Sequence, residues 1–428
     1  MNIETLYQCF LTHPNIQIDS RKITVGDIFF ALKGPNFNGN NFITQALAAG
    51  AACVIADEPQ ANHDERVFIV DDVLKCLQDL AKHHRDQFIE SGIPVIAITG
   101  SNGKTTTKEL IHEVLSSSYI TYTTKGNLNN HIGIPLSILR IKKDAEFAVI
   151  EMGANHLHEI AGYCEYVNPT HGMITNCGKA HLEGFGGIEN IRKGKGELYD
   201  HLRKNIGTVF VNSDDKVLLN MATGIEKVVT YGSRDAFVTG RILKGKTFLS
   251  TEIFGEDTIT INTQLVGDYN FYNVMAAVAI GKYFNIPMAK IKSALENYVP
   301  SNSRSQLIKM DSNTIIMDAY NANPDSMRVA IENLAALNTS DKVLLLGDMM
   351  ELGEDSKAEH EAIIALIDKH QWKDVVLVGE QFKQLQHNYT SLNISLEAAE
   401  WLKQKHFQNV TMLIKGSRSI EMEKVIPA

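Results

Sequence analysis

The sequence predicts an α/β protein of three domains, and three observations support that prediction. Short apolar runs rich in β-branched residues alternate with stretches of helical spacing, which is typical of parallel sheets built from βαβ units. A length of 428 residues suits two or three ordinary domains. The pattern also changes twice, so we expect a small α/β domain over 1–90, a central domain with a mainly parallel sheet over 91–300, and a doubly wound domain over 301–428.

The first region combines short alternating runs with a turn-rich loop. The runs are Asp27–Leu32 and Ala52–Ala56, and the loop between them is Lys33–Asn41. A helical stretch, Asp72–Phe88, leads to Ser91-Gly92-Ile93-Pro94. Gly and Pro interrupt regular structure, so these four residues predict a linker at the end of the domain.

The central region opens with Pro94–Thr99, a continuous apolar run that predicts a parallel strand buried on both faces. Further strands of this kind are predicted at Phe147–Glu151, Gly172–Asn176 and Thr208–Asn212. Tyr231–Val266 alternates strands and turns without a helix, which predicts an antiparallel part of the sheet. Asn270–Phe284 returns to helical spacing.

The last region repeats the alternation on a smaller scale and predicts a Rossmann-like domain. Its apolar runs are Thr314–Asp318, Lys342–Leu346, Asp374–Val378 and Val410–Ile414. Its amphipathic helical stretches are Ser326–Leu337, Ala358–Lys369 and Ser395–His406. In such a domain, ligands bind at the carboxyl ends of the strands.

Composition excludes some functional classes. The chain has 41 basic and 50 acidic side chains, a net charge of −9, which argues mildly against a nucleic-acid partner. No apolar stretch reaches the roughly 18 residues of a membrane span, and the first residues do not have the pattern of a signal peptide. The five cysteines are scattered without metal-binding spacing, as expected of reduced thiols in a cytoplasmic protein.

A glycine-rich turn after the first central strand, Ile98–Thr106, indicates phosphate binding in a P-loop ATPase-like domain. Backbone N–H groups at such a turn close around phosphate oxygens, and the following helix adds partial positive charge. Lys104 would reach the phosphates and the Thr105 hydroxyl would bind Mg²⁺. The first glycine of the general motif falls on Ile98, so an ordinary strand–helix turn with a surface lysine is the alternative.

Three further residues could complete a metal–nucleotide site, although each also has a structural interpretation. Glu151 ends an apolar strand, where a carboxylate can bind Mg²⁺ or simply face solvent. His181 lies in a glycine-rich loop, and a lone histidine is more often structural. Lys195 lies in a basic cluster, and spacing alone does not distinguish it from Lys193.

Polar motifs follow three strands of the last region. Asp318 ends one strand and could accept ribose hydroxyls, whereas Asp325 and Ser326 are also standard turn and capping residues. Gly347–Met349 and Lys415–Arg418 follow two other strands. Because the carboxyl ends of parallel strands meet at one sheet edge, these motifs predict a shared site.

Eight motifs in order over the whole chain resemble the Mur ligase family, whose form of the phosphate loop also lacks the first glycine. They are Asp19–Phe42, Thr99–Glu109, Gly126–Leu136, Glu151–Ile160, Ala180–Gly186, Asp318–Met327, Leu346–Gly353 and Lys415–Glu423. The last six of these motifs, from Gly126–Leu136 onward, resemble those of the subgroup that adds D-alanyl-D-alanine to a UDP-linked tripeptide.

The resemblance implies roles that spacing does not assign. Glu151 and His181 are implied to bind the magnesium ions, of which we expect two, and Lys195 is implied to be a carbamylated ligand. The implied nucleotide contacts are Gly100, Asn102, Gly103, Lys104, Thr105, Thr106, Asn270, Asn273, Arg304 and Asp318. The implied substrate contacts are Ser20, Arg21, Asn127, Asn129, Asn130, Asn321, Asn323 and Lys415. The residue before Arg304 is Ser303, where the family usually has glycine.

The function implied by the resemblance is that of an ATP-dependent carboxylate–amine ligase of peptidoglycan synthesis. It would join UDP-N-acetylmuramoyl-tripeptide to D-alanyl-D-alanine through an acyl phosphate, and we expect a cytoplasmic monomer. One alternative is a sister ligase that adds a single amino acid. Another is a nucleotide switch that binds or hydrolyses ATP without an amine, which would leave Glu151, His181 and Lys195 unexplained.

Overall fold

The computed structural model describes residues 2–59, 64–89, 92–245, 247–301, 303–339 and 341–426. The chain forms two compact units, the first comprising Met1–Ala97, Tyr119–Gly153 and Glu159–His171, and the second Ile98–Ser118, Ala154–His158 and Gly172–Ala428. The predicted domain boundary at 90–91 falls outside the described residues. The predicted boundary at 300–301 lies inside the second unit and stays a prediction.

Helices and strands alternate along the chain, as the sequence predicts. Up to residue 99 they are α1 (Ile3–Thr12), β1 (Ile16–Gln17), β2 (Ile28–Phe30), β3 (Lys33–Gly34), β4 (Phe37–Asn38), α2 (Ile43–Ala48), β5 (Cys53–Ala56), β6 (Val67–Ile69), α3 (Val73–Ile89) and β7 (Val95–Thr99). Between residues 100 and 245 they are α4 (Lys104–Ser116), β8 (Thr121–Thr123), α5 (Gly133–Ile138), β9 (Phe147–Glu151), α6 (Glu159–Val167), β10 (His171–Ile174), α7 (Leu182–Phe185), α8 (Ile188–Lys204), β11 (Thr208–Asn212), α9 (Lys216–Met221), β12 (Lys227–Gly232) and β13 (Val238–Ile242).

The later elements begin beyond residue 246. Up to residue 301 they are β14 (Phe248–Phe254), β15 (Ile259–Val266), α10 (Phe271–Tyr283) and α11 (Met288–Asn297). After residue 303 they are β16 (Gln306–Met310), β17 (Asn313–Asp318), α12 (Pro324–Ala336), β18 (Asp341–Gly347), α13 (Ser356–Ile367), β19 (Asp374–Val378), α14 (Glu380–Lys383), β20 (Thr390–Leu392), α15 (Ser395–Lys405) and β21 (Val410–Lys415). Short 3₁₀ helices lie at Ser20–Lys22, Gly39–Phe42, Asp268–Asn270, Gly353–Asp355, Arg418–Ile420 and Met422–Val425.

The first unit contains a parallel sheet in the order β1-β2-β5-β6. Its apolar core is Phe29, Ala31, Ile43, Ala46, Ala51, Val54 and Ala56. The beginning of β7 also lies in this unit, next to the parallel pair β9 and β8. Buried His84 accepts from Tyr7 Oη (3.1 Å) and donates from Nε2 to Ile141 O (2.8 Å), which joins α1 and α3 to the segment after α5. Burial lowers the pKa of His84, so this bridge uses the neutral imidazole.

The second unit contains the end of β7 and the strand order β15-β14-β13-β12-β11-β10-β7. Strands β11, β12 and β13 pair in parallel, and β13, β14 and β15 pair antiparallel. This confirms the change of pattern predicted within Tyr231–Val266. Helix α10 is buried over most of its length and packs against α4, so α4 and the turn before it rest on an apolar support.

The C-terminal residues of the second unit form a separate sheet in the order β16-β17-β21-β18-β19-β20. Only the edge strand β16 is antiparallel to its neighbour among the strand pairs that the structure describes here. Asp318 and Leu346 both pair with Lys415, so β17, β18 and β21 end at the same edge. This arrangement confirms the predicted doubly wound sheet and places the predicted polar motifs together.

None of the helices in the described parts of the chain is long and apolar enough to cross a membrane.

Candidate nucleotide-binding and ligase site

The phosphate loop is a turn that only glycine can form at two positions. Gly100 has φ of 143° and Gly103 has φ of 81°, both in the region that favours glycine. A Cβ at Gly100 would lie 2.0 Å from Thr175 Oγ1, and one at Gly103 would lie 2.8 Å from Asn273 Oδ1. Helix α4 begins directly afterwards, so the predicted order of strand, glycine turn and helix is confirmed.

The segment after β10 braces this loop from one side. Ser101 N donates to Asn176 O (2.9 Å), and Asn102 N donates to Asn176 Oδ1 (3.0 Å). Asn102 O accepts from Thr175 Oγ1 (2.6 Å) and Asn176 Nδ2 (3.0 Å). Ser101 Oγ donates to Gly178 O (2.7 Å). The loop is therefore preorganised by its own protein contacts, which is what a phosphate cradle requires.

Lys104 lies across the loop. Its Nζ donates to Gly100 O (2.7 Å) and Ser101 O (3.1 Å), and its side chain is half-buried. Thr105 is buried and Thr106 half-buried at the start of α4. The structure thus brings the ammonium, the helix N-terminus and the predicted Mg²⁺-binding hydroxyl to one loop.

Asn270 and Asn273, the predicted adenine contacts, are buried and bonded to each other. Asn273 Nδ2 donates to Asn270 Oδ1 (2.9 Å), and Asn273 Oδ1 accepts from Thr107 Oγ1 (3.0 Å). Asn270 Nδ2 donates to Val266 O (2.9 Å). These amides connect α10 to α4 behind the phosphate loop, and their contact with adenine stays a prediction.

Lys195 and Lys193, which spacing could not distinguish, occupy different environments. Lys193 is exposed, whereas the Lys195 side chain is only 1% exposed on the inner face of α8. Lys195 Nζ donates to Ala154 O (2.9 Å) and lies 5.1 Å from the centre of the Phe185 ring. A Cβ at Gly194 would lie 2.6 Å from that ring, so this glycine lets Phe185 pack beside the lysine. Lys195 and Lys193 therefore differ in burial, a difference that spacing does not show.

His181 lies at the start of α7 and is bonded to a residue that the sequence did not single out. His181 Nδ1 contacts Glu351 Oε2, and Glu183 N donates to Glu351 O (3.2 Å). The hydrogen bond from His181 lowers the pKa of Glu351. Glu351 belongs to the Leu346–Gly353 motif, which was the only sequence signal for it; its pairing over 170 residues is not visible as a pattern.

Glu151 lies in the first unit and is 1% exposed at the end of β9. Its Oε1 accepts from Asn129 Nδ2 (2.7 Å), and its backbone N donates to Thr124 Oγ1 (3.0 Å). Asn129 and Glu151, two predicted site residues, are therefore in direct contact. Asn130 Oδ1 accepts from Gly133 N (2.8 Å) at the start of α5, and Asn127 is exposed.

Ser20 and Arg21, the predicted UDP contacts, lie in an exposed 3₁₀ turn of the first unit. Arg21 Nε and Nη2 donate to the two Asp19 carboxylate oxygens, each at 2.8 Å, and this lowers the pKa of Asp19 to about 2. Ser20 Oγ lies 3.5 Å from Gln45 Oε1. Arg21 is exposed and Ser20 is half-buried beside α2.

In the C-terminal sheet, Lys415 and Asp318 pair with each other. Lys415 is 2% exposed, and its Nζ donates to Asp318 Oδ2 (2.6 Å) and Asn321 O (3.2 Å). The other Asp318 oxygen, Oδ1, accepts from Ser305 N (3.1 Å). The predicted substrate contact at Lys415 and the predicted ribose contact at Asp318 are thus both engaged in holding the sheet edge and the segment before β16.

Two residues after β17, Asn323 and Asp325, bond to the phosphate-loop side of the second unit, whereas the neighbouring Asn321 bonds locally. Asn323 caps α12 by accepting from Ser326 N (2.9 Å), and its Nδ2 donates to Asn102 Oδ1 (2.7 Å). Asp325 Oδ2 accepts from Lys179 N (2.8 Å). Asn321 Oδ1 accepts from Ala322 N (3.0 Å). Asn323 therefore has two roles. Its Oδ1 caps α12, and its Nδ2 contacts the phosphate loop, which only the structure reveals.

Arg304 lies between two residues with left-handed backbone. Ser303 has φ of 55° and Ser305 has φ of 50°. The Arg304 guanidinium lies 3.5 Å from the centre of the Tyr320 ring. A positive φ favours glycine, the residue that the family resemblance implies before Arg304, so Ser303 occupies a strained backbone conformation.

The predicted Mg²⁺ ligands of the second unit have donor atoms that suit a magnesium ion completed by other ligands. Among the residues that the structure describes, no three His, Cys, Asp or Glu side chains gather as a metal site. Thr105 supplies a hydroxyl and His181 an imidazole, and Lys195 would contribute oxygen only as a carbamate. Oxygen-rich ligation suits Mg²⁺, which usually takes few protein ligands together with phosphate oxygens and water.

Three family models match the chain in order. Residues 13–85 match the Mur ligase family catalytic domain, residues 98–281 the Mur ligase middle domain, and residues 303–424 the Mur ligase glutamate ligase domain. These regions correspond to the three-domain architecture that the sequence predicts.

Two similar proteins carry the same name. The UDP-N-acetylmuramoyl-tripeptide–D-alanyl-D-alanine ligase of Bacillus subtilis is 35% identical, covering 96% of this chain and 92% of its own. The Escherichia coli ligase of that name is 33% identical over 98% and 94%.

Two solved structures of MurF ligases have a fold similar to that of this chain. MurF from Acinetobacter baumannii has a TM-score of 0.89 at 29% identity, covering 99% of this chain and 97% of its own. MurF from Thermotoga maritima, solved in complex with ADP, has a TM-score of 0.86 at 26% identity, covering 97% and 96%. The resemblance drawn from the eight motifs is confirmed: the chain belongs to the Mur ligase family.

Proposed function

We propose that this protein is the ATP-dependent ligase that adds D-alanyl-D-alanine to UDP-N-acetylmuramoyl-tripeptide in peptidoglycan synthesis. Relatives that are 32–35% identical and cover 96–98% of this chain carry that name. The observation that carries the proposal is the phosphate loop, bonded at Asn102 to Asn323 of the C-terminal sheet. A nucleotide on this loop would lie beside a second, ligand-binding sheet edge, as two-substrate ligation requires.

The chemistry follows from the poor reactivity of a carboxylate toward amines. The tripeptide carboxylate attacks the γ-phosphorus of ATP, forming a C–O–P bond and releasing ADP. The dipeptide amine then attacks the acyl carbon, the amide forms, one amine proton is lost, and inorganic phosphate leaves with the oxygen that bridged it to the acyl group. The phosphate loop and Lys104 stabilise the negative charge of the transferring group.

We assign the remaining predicted residues as follows. Arg304 would add positive charge to the transferring phosphoryl group, and its stacking on Tyr320 supports a defined position. Lys195 is proposed as the carbamylated residue because it is buried, whereas Lys193 is exposed. Asn270 and Asn273 are proposed adenine contacts at the back of the loop.

Thr105, His181 and carbamylated Lys195 are the residues of the second unit proposed to hold Mg²⁺, and Glu151 of the first unit is a Mg²⁺ ligand that the family resemblance implies. When bound, the metal neutralises charge on the phosphate oxygens. His181 would offer Nε2, because Nδ1 is bonded to Glu351. The side chains themselves supply hard oxygen and imidazole ligands at defined positions.

We further propose that the enzyme acts as a monomer in the cytoplasm, where ATP and nucleotide-linked sugars are available. The UDP contacts would be Ser20 and Arg21, on the surface of the first unit. Asn127, Asn129 and Asn130 would contact the peptide of that substrate, and Asn321, Asn323 and Lys415 would contribute to the site of the dipeptide.

The test is phosphate release by the purified protein with ATP, Mg²⁺ and UDP-N-acetylmuramoyl-tripeptide. We expect release to depend on D-alanyl-D-alanine, with a single D-alanine as a poor substitute. Lys104→Ala should lower the rate at least about 10³-fold, because the loop loses its only side-chain cation. Lys193→Ala, an exposed lysine of the same unit, is the control and should keep full activity.

Two results would contradict the proposal. Phosphate release that is indifferent to the dipeptide would indicate a hydrolytic nucleotide switch. Release supported equally by a single amino acid would indicate a sister ligase. Testing tripeptides that end in lysine and in a diamino acid would also identify the third residue.

A further inference from the structure

The loop after β18, Asp348–Gly353, contacts the segment that carries His181; we call it the Glu351 loop. Glu351 Oε2 contacts His181 Nδ1, and Glu351 O accepts from Glu183 N (3.2 Å). A Cβ at Gly353 would lie 3.4 Å from Glu183 Cβ, so the two segments also pack closely there. One carboxylate from the C-terminal sheet thus reaches the predicted metal-binding imidazole.

This contact determines where the imidazole proton lies. A carboxylate oxygen accepts hydrogen bonds, and Glu351 Oε2 lies in hydrogen-bond contact with His181 Nδ1. A neutral imidazole that donates from Nδ1 carries its lone pair on Nε2. Only an unprotonated ring nitrogen can bind a cation.

The base of the Glu351 loop is anchored by buried polar groups that the ligase chemistry does not use. The Asp348 carboxylate accepts from two backbone N–H groups, and Met349 N and Met350 N each donate to a side chain. These bonds are Gln381 N to Asp348 Oδ2 (2.8 Å), Phe382 N to Asp348 Oδ1 (3.0 Å), Met349 N to His360 Nε2 (3.0 Å) and Met350 N to Ser417 Oγ (2.8 Å). Asp348 and His360 are almost fully buried, so Glu351 extends from a rigid base.

Stability alone does not account for the contact. The His181 and Glu351 side chains are 20% and 50% exposed, and ion pairs at such positions contribute little. Both residues also have left-handed backbone, with φ of 55° and 63°, which is unfavourable for residues other than glycine. Strained backbone that supports a weak surface contact is typical of a functional position.

We propose that Glu351 is a positioning residue: it holds His181 in the tautomer with the proton on Nδ1, which leaves the Nε2 lone pair for a divalent cation. This inference rests on the proposed function, in which His181 binds Mg²⁺. Because Glu351 belongs to the C-terminal sheet, the imidazole is oriented only when the Glu351 loop is docked on residues 181–183.

The first test reads the tautomer directly, without substrates. Full-length protein labelled with ¹⁵N-histidine gives imidazole nitrogen resonances, and His181→Gln identifies those of His181. We expect the Nδ1–H tautomer in the wild type. Glu351→Ala should shift the ring toward the Nε2–H form that free imidazoles favour, and Glu351→Gln should lie between, because its amide can accept or donate. Glu354→Ala, an exposed glutamate three residues away, should leave the resonances unchanged.

The second test measures the Mg²⁺ concentration that gives half-maximal ligation. Loss of a residue that orients a metal ligand typically weakens metal binding about 10–100-fold. We expect an increase of about tenfold or more in Glu351→Ala, a smaller one in Glu351→Gln and none in Glu354→Ala.

An unchanged His181 tautomer in Glu351→Ala would overturn the inference whatever the activity, and so would an unchanged Mg²⁺ requirement. Failure of the wild type to form an amide would instead contradict the proposed function, since the spectra are recorded without substrates.

Discussion

The second unit has two parts, residues 98–118, 154–158 and 172–301 on the phosphate-loop side, and residues 303–426 with the C-terminal sheet. The contacts within each part differ in kind from the hydrogen bonds and ion pairs between the parts. The interior of each part is apolar. Helix α10 packs against α4 beneath the phosphate loop, and β17, β18 and β21 bury a continuous core in the C-terminal sheet. The described side-chain hydrogen bonds and ion pairs between the two parts include Asn102–Asn323, Lys179–Asp325, Lys179–Glu359 (2.5 Å), His181–Glu351 and Tyr269–Ser305.

This difference indicates which contacts can open during turnover. Apolar cores stabilise by roughly 25 cal/mol per Å² and are lost only on unfolding. Partly exposed ion pairs contribute about 0–1 kcal/mol each, so the polar contacts can separate and re-form at little cost. A ligase that must admit substrates and then exclude water needs such a contact beside its phosphate loop.

The largest expected effect lies inside the C-terminal sheet. Lys415→Met leaves the Asp318 carboxylate without its buried cation, and breaking a buried pair in this way costs about 3 kcal/mol. Because the chain has two compact units, one global unfolding free energy is not well defined. Hydrogen exchange of residues 313–318 and 410–415 should therefore report the loss, with protection elsewhere unchanged.

Lys424→Met is the matched control, since Lys424 pairs with Glu421 on the surface. It should change protection by less than about 0.5 kcal/mol. Equal effects of the two substitutions would mean that the Asp318–Lys415 pair does not hold the sheet edge. The buried pair would then contribute no more to stability than an exposed one.

A smaller effect is expected at the polar contact itself. Asn323→Asp keeps the oxygen that caps α12 but removes the Nδ2 donor to Asn102. A neutral hydrogen bond contributes about 1 kcal/mol, so the equilibrium should shift about fivefold toward the separated arrangement. Small-angle scattering measures that shift. In the Asn102→Ala background the same substitution should have almost no effect; an undiminished effect there would show that the two side chains do not interact.

The smallest effect is expected at the junction between the two parts. Ser303 has φ of 55°, a conformation that glycine adopts without strain, so Ser303→Gly should raise local stability by up to about 1 kcal/mol. Hydrogen exchange around residues 303–306 measures the change. Ser301→Gly, at a residue without positive φ, should destabilise slightly; a destabilising Ser303→Gly would contradict the strain at Ser303.

The sequence predicted the strands and the phosphate turn, which depend on residues close together in the chain. Continuous apolar runs such as Pro94–Thr99 predicted buried strands, and Gly100 and Gly103 predicted the phosphate turn, because both signals lie within a few residues. The sequence also singled out Glu151, His181 and Lys195 as candidates, and the resemblance then implied the roles that spacing left open. Their metal and phosphate contacts stay predictions.

The structure added what depends on distant pairing or burial. Glu351 reaches His181 across 170 residues, and Asn323 reaches Asn102 across 221, so neither contact leaves a local pattern. Burial alone separates Lys195 from Lys193. The left-handed backbone of Ser303 is likewise visible only in the structure.

The central claim is that the tripeptide carboxylate is activated as an acyl phosphate on the loop that carries Lys104. It is tested most directly with a UDP-tripeptide whose terminal carboxylate carries ¹⁸O at both oxygens, followed by mass spectrometry of the products formed with ATP and D-alanyl-D-alanine. We predict that the released inorganic phosphate carries one ¹⁸O and that the other stays in the new amide. Inorganic phosphate without ¹⁸O, or ¹⁸O in AMP, would contradict the account.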